Sequence, residues 1–303
     1  MKVRHFLRLN DCSPGELQNL LARAAQLKAD AGRGKHSTAL AGRTLAMLFE
    51  QASTRTRVAF EVATLQLGGH AIFLSSRDTQ LGRGESLADT ARVLSRMVDA
   101  LLLRVRSHDD LLRFAEYSRV PVINGLSDAF HPCQVLADML TYREHRGDIC
   151  GRLVAWLGDG SNVCQSYINA SRQFDFRLHL ACPPGYRPVA ELLQDHSDRV
   201  RVFEDPVAAV RGADLVVTDA WVSMGREEDR ERRRLELRPY QVSAALMAQA
   251  DPRALFMHCL PAYRGEEVVA EVFDGPRSVV WDEAGNRLHT QKALLEFLFD
   301  GQR

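Results

Sequence analysis

The sequence contains few cysteines, and no two of them form a C-x-x-C pair. The six are scattered along the chain, at Cys12, Cys133, Cys150, Cys164, Cys182 and Cys259. Zinc sites and disulfide frameworks are normally marked by closely and regularly spaced cysteines. The scattered pattern argues against both and favours a protein of a reducing compartment.

Long apolar runs and long runs of like charge are also missing. No stretch approaches the roughly 18 apolar residues that a membrane-spanning helix needs, and Met1–Arg8 lacks the hydrophobic region of a secretory signal. Lys+Arg and Asp+Glu both number 39, so the charge balance does not indicate a nucleic-acid-binding surface. We therefore expect a soluble, cytoplasmic protein that binds neither membranes nor nucleic acids.

Two glycine motifs for nucleotide binding are incomplete. Residues 158–163 begin like the dinucleotide motif G-x-G-x-x-G, but Val163 stands where the third glycine lets the helix approach the strand. The motif G-x-x-x-x-G-K-[ST] fails because Ala29 replaces its first glycine and His36 its final hydroxyl residue. A dinucleotide site is therefore a weak hypothesis, and a P-loop nucleotidase is excluded.

The pattern that is present is an alternation of strands and helices over 303 residues, enough chain for one large or two medium domains. Predicted strands are 44–49, 71–74, 100–105, 120–123, 153–157, 178–181, 200–203, 214–218, 254–258 and 278–281. Predicted helices include 54–67, 86–97, 109–117, 162–173, one from about 132 and a last one from about 290 to 298. This order predicts an α/β fold with two doubly wound parallel-sheet domains. We place them at 1–147, joined by a C-terminal helix at about 288–303, and at 148–287.

An anion site is predicted where the first of these strands meets its helix. Ser53-Thr54-Arg55-Thr56-Arg57 packs hydroxyl and guanidinium groups into the start of the helix. Free N–H groups and the helix dipole favour anions there, and an arginine can bind a phosphate with two parallel hydrogen bonds. The alternative is an ordinary serine cap followed by exposed arginines.

Four more stretches place reactive side chains at the ends of predicted strands: Arg104, His131–Gln134, Asp219–Gly225 and His258–Ala262. Each has a simpler alternative, because His131 could cap a helix, Cys259 could be a small core residue and Asp219 could serve in a turn. Ligands of parallel sheets bind at the carboxyl ends of the strands, which makes a shared site the better interpretation.

Together these motifs resemble the aspartate/ornithine carbamoyltransferase family, almost over the whole length and in the same order. Ser53–Arg57 is similar to the carbamoyl-phosphate motif and His131-Pro132-Cys133-Gln134 to its H-P-x-Q. Ser223-Met224-Gly225 and His258-Cys259-Leu260-Pro261 resemble the S-M-G and H-C-L-P motifs of the ornithine branch. The loop 75–86 lacks the lysine that the aspartate branch carries.

The resemblance implies a carbamoyl-phosphate domain (1–147), an ornithine domain (148–287), an active site in the cleft between them and a homotrimer. It implies that the phosphate is bound by Ser53, Thr54, Arg55, Thr56, Arg104 and, from a neighbouring subunit, Gln80. The carbamoyl group would meet Thr56, Arg104, His131, Gln134, Arg287, Cys259 and the Leu260 carbonyl. Ornithine would meet Asn162, Asp219, Ser223 and Met224, with Cys259 near its side-chain amine.

Two departures from the family pattern concern the same site. Ser161 stands where the family often has asparagine, and Gly285 where a glutamate usually precedes Asn286-Arg287. A carboxylate that could orient Arg287 is therefore missing.

The implied reaction is attack of the ornithine side-chain amine on the carbamoyl carbon, with phosphate leaving. Positioning, oxyanion donors and a dianion clamp supply most of its rate gain, so we expect no metal and no cofactor, and Arg55, Arg104, His131 and Cys259 as catalytic residues. A sister carbamoyltransferase acting on putrescine or an acylated ornithine, and a non-catalytic binding homologue, are the alternatives. The sequence leaves open which group accepts the proton and whether the reaction serves arginine biosynthesis or catabolism.

Overall fold

The computed structural model describes residues 3–76, 79, 84–222 and 229–300. The chain forms two compact units. The first comprises Met1–Leu140 and Gly285–Arg303, and the second comprises Thr141–Ala284. Both contain a parallel sheet flanked by helices, which confirms the predicted fold class.

The first unit is built on the sheet order β2-β1-β3-β4. Its strands are β1 (Thr44–Phe49), β2 (His70–Ser75), β3 (Ala100–Arg104) and β4 (Val122–Leu126). The helices that begin in it are α1 (Pro14–Gly32), α2 (Thr54–Gln66), α3 (Leu87–Leu94), α4 (His108–Tyr117) and α5 (Pro132–Arg146). All of β3 and nearly all of β1 are buried, as expected for parallel strands covered on both faces.

Serine caps define where several of these helices begin. Ser13 accepts from the Glu16 N–H while its own N–H donates to the Glu16 carboxylate, a complete capping box at the start of α1. Ser53, Ser86 and Ser107 accept backbone N–H groups in the same way at α2, α3 and α4.

The second unit is built on the sheet order β7-β6-β5-β8-β9. Its strands are β5 (Leu153–Leu157), β6 (Arg177–Ala181), β7 (Val200–Phe203), β8 (Leu215–Thr218) and β9 (Leu255–His258). The helices that follow in sequence are α6 (Asn162–Gln173), α7 (Ala190–Asp195), α8 (Pro206–Val210), α9 (Arg230–Leu237), α10 (Ala244–Met247), α11 (Ala270–Phe273) and α12 (Val280–Asp300).

Each sheet contains a point at which the strand order reverses. In the first it lies between β1 and β3, and in the second between β5 and β8. Chain segments leave these neighbouring strands in opposite directions, which opens a crevice at their carboxyl ends where α/β proteins bind ligands. Ser53, Arg104 and Asp219 lie at or just after the carboxyl ends of β1, β3 and β8. The other two stretches lie one strand further along each sheet, with His131 following β4 and His258 ending β9.

One predicted strand is wrong. Residues 278–281 form a single bridge, in which Phe256 N–H donates to the Arg277 carbonyl and Val279 N–H to the Phe256 carbonyl, before the chain turns into α12 at Val280. The β-branched pair Val279-Val280 imitates a short strand, because local composition does not show how soon a bridge ends. The last helix consequently begins ten residues earlier than predicted.

Within the described part of the chain, no helix has both the length and the apolar character required to cross a membrane.

Candidate functional site

The start of α2 presents the predicted hydroxyl and guanidinium groups. Ser53 caps the helix, its hydroxyl accepting from the Thr56 N–H at 3.3 Å, and Thr56 is fully buried. Thr54 is exposed, and Ser53 and Arg55 are partly exposed. The segment combines the positive end of a helix dipole with side-chain donors, which suits a bound anion.

The pairing between β3 and β4 is irregular next to Arg104, the last residue of β3. Leu103 pairs with Asn124 but Arg104 pairs with Leu126, so Gly125 is an extra residue in the neighbouring strand. A Cβ on Gly125 would lie 3.1 Å from the Leu103 carbonyl oxygen, which explains why a glycine fits there. Such bulges bend the strand that contains the extra residue, here β4, and this one lies beside the buried side chain of Arg104.

Arg287 of α12 is held by two residues that are predicted to belong to the same site. Its Nη2 donates to the Thr56 hydroxyl at 2.9 Å, and its Nη1 donates to Gln134 Oε1 at 3.0 Å. A guanidinium only donates, so the Thr56 oxygen accepts from it and the Thr56 hydroxyl hydrogen can point elsewhere. These contacts orient Arg287 although Gly285 offers no carboxylate.

His131 precedes α5 and is buried among cations. Burial, followed by the positive charges of Arg287, Arg104 and Arg55, holds the pKa of its imidazole well below the ordinary value of 6.5. His131 is therefore neutral near pH 7, and one of its ring nitrogens carries a hydrogen that it can donate. Three guanidinium groups around a neutral imidazole are suited to a dianion whose neighbouring carbonyl must be polarised.

In the second unit, Asp219 collects donors from three chain segments. Its Oδ1 accepts from the Cys259 thiol at 3.0 Å and from the Ala220 N–H at 2.7 Å, and its Oδ2 accepts from the Ser161 hydroxyl at 3.4 Å. Ser161 precedes α6, Asp219 follows β8 and Cys259 follows β9. The Cys259 side chain is partly exposed and bonded to a carboxylate, which fits the predicted site better than a core position.

His258 fixes the backbone that follows Cys259. Its Nδ1 accepts from the Leu260 N–H at 2.9 Å, so Nε2 carries the hydrogen that faces Glu267 Oε1 at 3.1 Å. Both side chains are fully buried. Glu267 is not among the predicted site residues, because it lies in a segment without a recognisable motif.

The same corner contains donors of the type that a metal ion would use. Ligand atoms of Asp219, His258 and Cys259 lie within 4.8 Å of one another. Both His258 nitrogens are already hydrogen-bonded, however, and the Cys259 thiol donates to Asp219. The arrangement is therefore explained as a hydrogen-bond network.

Other residues of the protein pack closely against the glycine-rich turn after β5. A Cβ on Gly160 would lie 2.5 Å from Pro188, and the Gly160 N–H donates to the Tyr186 carbonyl at 2.7 Å. Gly158 has φ +103° and lies against the Trp221 indole. These contacts account for both glycines without a dinucleotide.

The structure thus brings together the predicted residues of each unit. Thr56, Arg104, His131, Gln134 and Arg287 form one buried group, with Ser53, Thr54 and Arg55 at the adjoining helix start. Asp219 and Cys259 form the other, with Asn162 at the first position of α6 and Leu260 next along the chain. The predicted residues Gln80, Ser223 and Met224 lie outside the described residues.

Comparison with known proteins gives two family matches that together cover most of the chain. Residues 4–144 match the carbamoyl-P binding domain of aspartate/ornithine carbamoyltransferase, and residues 151–298 match its Asp/Orn binding domain. A Nitrosococcus oceani protein named ornithine carbamoyltransferase is 62% identical over 301 residues, covering 99% of each chain. A Pseudomonas aeruginosa protein named ornithine carbamoyltransferase, anabolic, is 57% identical over 99% of this chain and 98% of its own.

The solved structures that this chain resembles are also ornithine carbamoyltransferases. The ornithine carbamoyltransferase of Pyrococcus furiosus superposes with a TM-score of 0.94 at 48% identity, covering 98% of this chain and 97% of its own. That of Burkholderia thailandensis has a TM-score of 0.93 at 51% identity, covering 99% and 100%.

Proposed function

The chain belongs to the aspartate/ornithine carbamoyltransferase family, and we propose that it transfers the carbamoyl group of carbamoyl phosphate to the side-chain amine of L-ornithine. The products are L-citrulline and phosphate. The observation that carries this proposal is the buried group of Arg104, Arg287 and neutral His131, next to the capped start of α2. The names of the relatives support ornithine as the acceptor.

In this proposal the first unit binds carbamoyl phosphate. Ser53, Thr54, Arg55, Thr56 and Arg104 hold the phosphate, which the helix dipole also attracts. Thr56, Arg104 and His131 donate to the carbamoyl oxygen, where negative charge grows during attack. Gln134, Arg287 and the Leu260 carbonyl surround the carbamoyl nitrogen.

The low pKa of His131 suits the role that we propose for its imidazole. A neutral imidazole can polarise the carbamoyl oxygen with an N–H donor, while the neighbouring guanidinium groups supply the positive charge that binds the phosphate. A protonated imidazole in that place would be a buried cation close to three guanidinium groups, which both desolvation and charge repulsion disfavour.

Ornithine is assigned to Asn162, Asp219, Ser223 and Met224, with Cys259 near the reacting amine. That amine must lose a proton before it attacks, since a free alkylammonium has a pKa of about 10 by analogy with lysine. The carboxylate of Asp219, hydrogen-bonded to the Cys259 thiol, provides a polar place for the ammonium group.

Two further parts of the proposal concern assembly and direction. We propose a homotrimer in which Gln80 reaches the phosphate site of a neighbouring subunit. The relative named anabolic supports synthesis of citrulline as the physiological direction, in arginine biosynthesis.

An amine panel tests the proposed acceptor. Purified protein is given carbamoyl phosphate with ornithine, putrescine, N-acetylornithine or aspartate, and the carbamoylated product is measured by chromatography. We expect ornithine to give the highest kcat/KM by a wide margin. Preference for another amine would identify a sister transferase, and the absence of product with every amine would indicate a non-catalytic homologue.

A further inference from the structure

Asp138 is a buried carboxylate to which the proposed function gives no role. It lies one turn after Gln134 on α5, and both side chains are only 1% exposed. Gln134 Nε2 donates to Asp138 Oδ1 at 2.9 Å, while Gln134 Oε1 accepts from Arg287 Nη1 at 3.0 Å. The Gln134 amide is thus held at both ends.

These two partners determine which end of the amide is oxygen. A guanidinium only donates and a carboxylate only accepts, so the reverse orientation would oppose two donors at Arg287 and two acceptors at Asp138. An amide oxygen has two lone pairs and can accept a second hydrogen beside the one from Arg287. The fixed orientation therefore presents an acceptor.

We propose that Asp138 is a positioning residue that sets substrate specificity by fixing the Gln134 amide with its oxygen available to the amino group of the carbamoyl substrate. This inference rests on the proposed function. The selected ligand is an acyl phosphate that carries an amino group on the acyl carbon, and the disfavoured one carries a methyl group there.

Acetyl phosphate provides the matched comparison, because it differs from carbamoyl phosphate in having methyl in place of the amino group. The dissociation constants of carbamoyl phosphate, acetyl phosphate and inorganic phosphate are measured by calorimetry for the wild type and Asp138→Asn. The variant keeps the side-chain shape but can donate as well as accept, so of these two partners Arg287 alone still dictates the orientation of the Gln134 amide.

We expect the preference for carbamoyl over acetyl phosphate to fall roughly tenfold in Asp138→Asn, about the effect of one hydrogen bond. Binding of inorganic phosphate should change by less than about twofold, since that ligand does not use the amide. An unchanged preference, or an equal loss for all three ligands, would overturn the proposal.

A second variant distinguishes positioning from a structural role. Gln134→Glu alone places two carboxylates together, whereas Gln134→Glu with Asp138→Asn restores a donor at 138 facing an acceptor at 134. We expect the double variant to recover preference for carbamoyl phosphate relative to Gln134→Glu, and no recovery would contradict the proposal. Charge effects cancel in this ratio because both acyl phosphates carry the same charge.

Ligand binding by the wild type distinguishes a failure of this inference from a failure of the proposed function. Absence of carbamoyl-phosphate binding by the wild type would overturn both. A wild type that prefers carbamoyl phosphate, with an Asp138→Asn variant that keeps the same preference, would overturn the inference alone.

Discussion

The guanidinium of Arg287 fixes the hydrogen-bonding orientation of two side chains, Thr56 and Gln134. Arg287 donates a hydrogen bond to the oxygen of each side chain. The Thr56 hydroxyl can therefore donate its hydrogen in another direction, and the Gln134 amide is oriented with its oxygen towards Arg287. At the residue scale, the proposed site thus depends on donor and acceptor polarity as well as on charge.

The arginine of the α2 start offers a test of geometry against charge. Arg55→Lys keeps the positive charge but loses the paired N–H donors that match a phosphate, so we expect turnover to fall about a hundredfold with the fold intact. Arg57→Lys is the matched control. Arg57 is exposed, pairs with Glu61 at 3.0 Å and stacks on Phe73, and its replacement should leave steady-state turnover nearly unchanged. Similar kinetics for both variants would remove the phosphate clamp from the proposal.

The depressed pKa of His131 predicts a pH dependence of stability. Below about pH 6.5 the unfolded chain binds a proton at this histidine more readily than the folded protein does. Above that pH both states are neutral, so the penalty appears only on acidification. We expect the wild type to lose stability relative to His131→Gln by at most about 1.4 kcal/mol per pH unit between pH 6.5 and 5.5. Urea unfolding at each pH measures this, and parallel curves would contradict a neutral buried His131.

At the scale of elements, the turn from β5 to α6 is tightly fitted. Gly160→Ala would force a methyl group against Pro188 and the Tyr186 carbonyl. We expect unfolding free energy to fall by about 1–3 kcal/mol, the usual cost of overpacking. Gly285→Ala is the control, since no described atom lies within 4 Å of its Cβ position and alanine favours a helix by up to about 1 kcal/mol. Equal melting temperatures for the two variants would show that the turn yields freely.

The same elements show what local sequence could predict. The apolar runs of β1 and β5 give their bounds to the residue, because parallel strands buried on both faces are nearly continuous in hydrophobicity. Val279-Val280 has that composition too, yet it starts a helix. The outcome there depends on the single bridge to Phe256, a tertiary contact that composition does not encode.

The site residues also fall into those that local sequence predicts and those that only tertiary contacts reveal. Those in motifs at strand ends, such as Arg104 and Asp219, could be predicted because the topology of a parallel sheet brings strand ends together. Asp138 and Glu267 could not, since neither belongs to a motif and each is identified only by its side-chain contact, with Gln134 and with His258 respectively.

The whole-molecule prediction concerns a shared site. If Gln80 acts across subunits of a homotrimer, Gln80→Ala and Arg55→Ala trimers are each inactive, but exchange of subunits creates some sites in which both residues are intact. We expect activity to return on mixing under conditions that allow exchange, measured as citrulline formed. No recovery after exchange, verified by mass-tagged subunits, would show that each site uses its own Gln80.

The most direct measurement of the central claim is transfer of the carbamoyl carbon itself. Purified protein, in excess over ¹³C-labelled carbamoyl phosphate, is mixed with ornithine and followed by NMR. We predict that the label moves entirely into the ureido carbon of citrulline, with one phosphate released for each citrulline formed. Label that stays in carbamoyl phosphate, or that leaves by hydrolysis while ornithine remains unmodified, would contradict the proposed carbamoyl transfer.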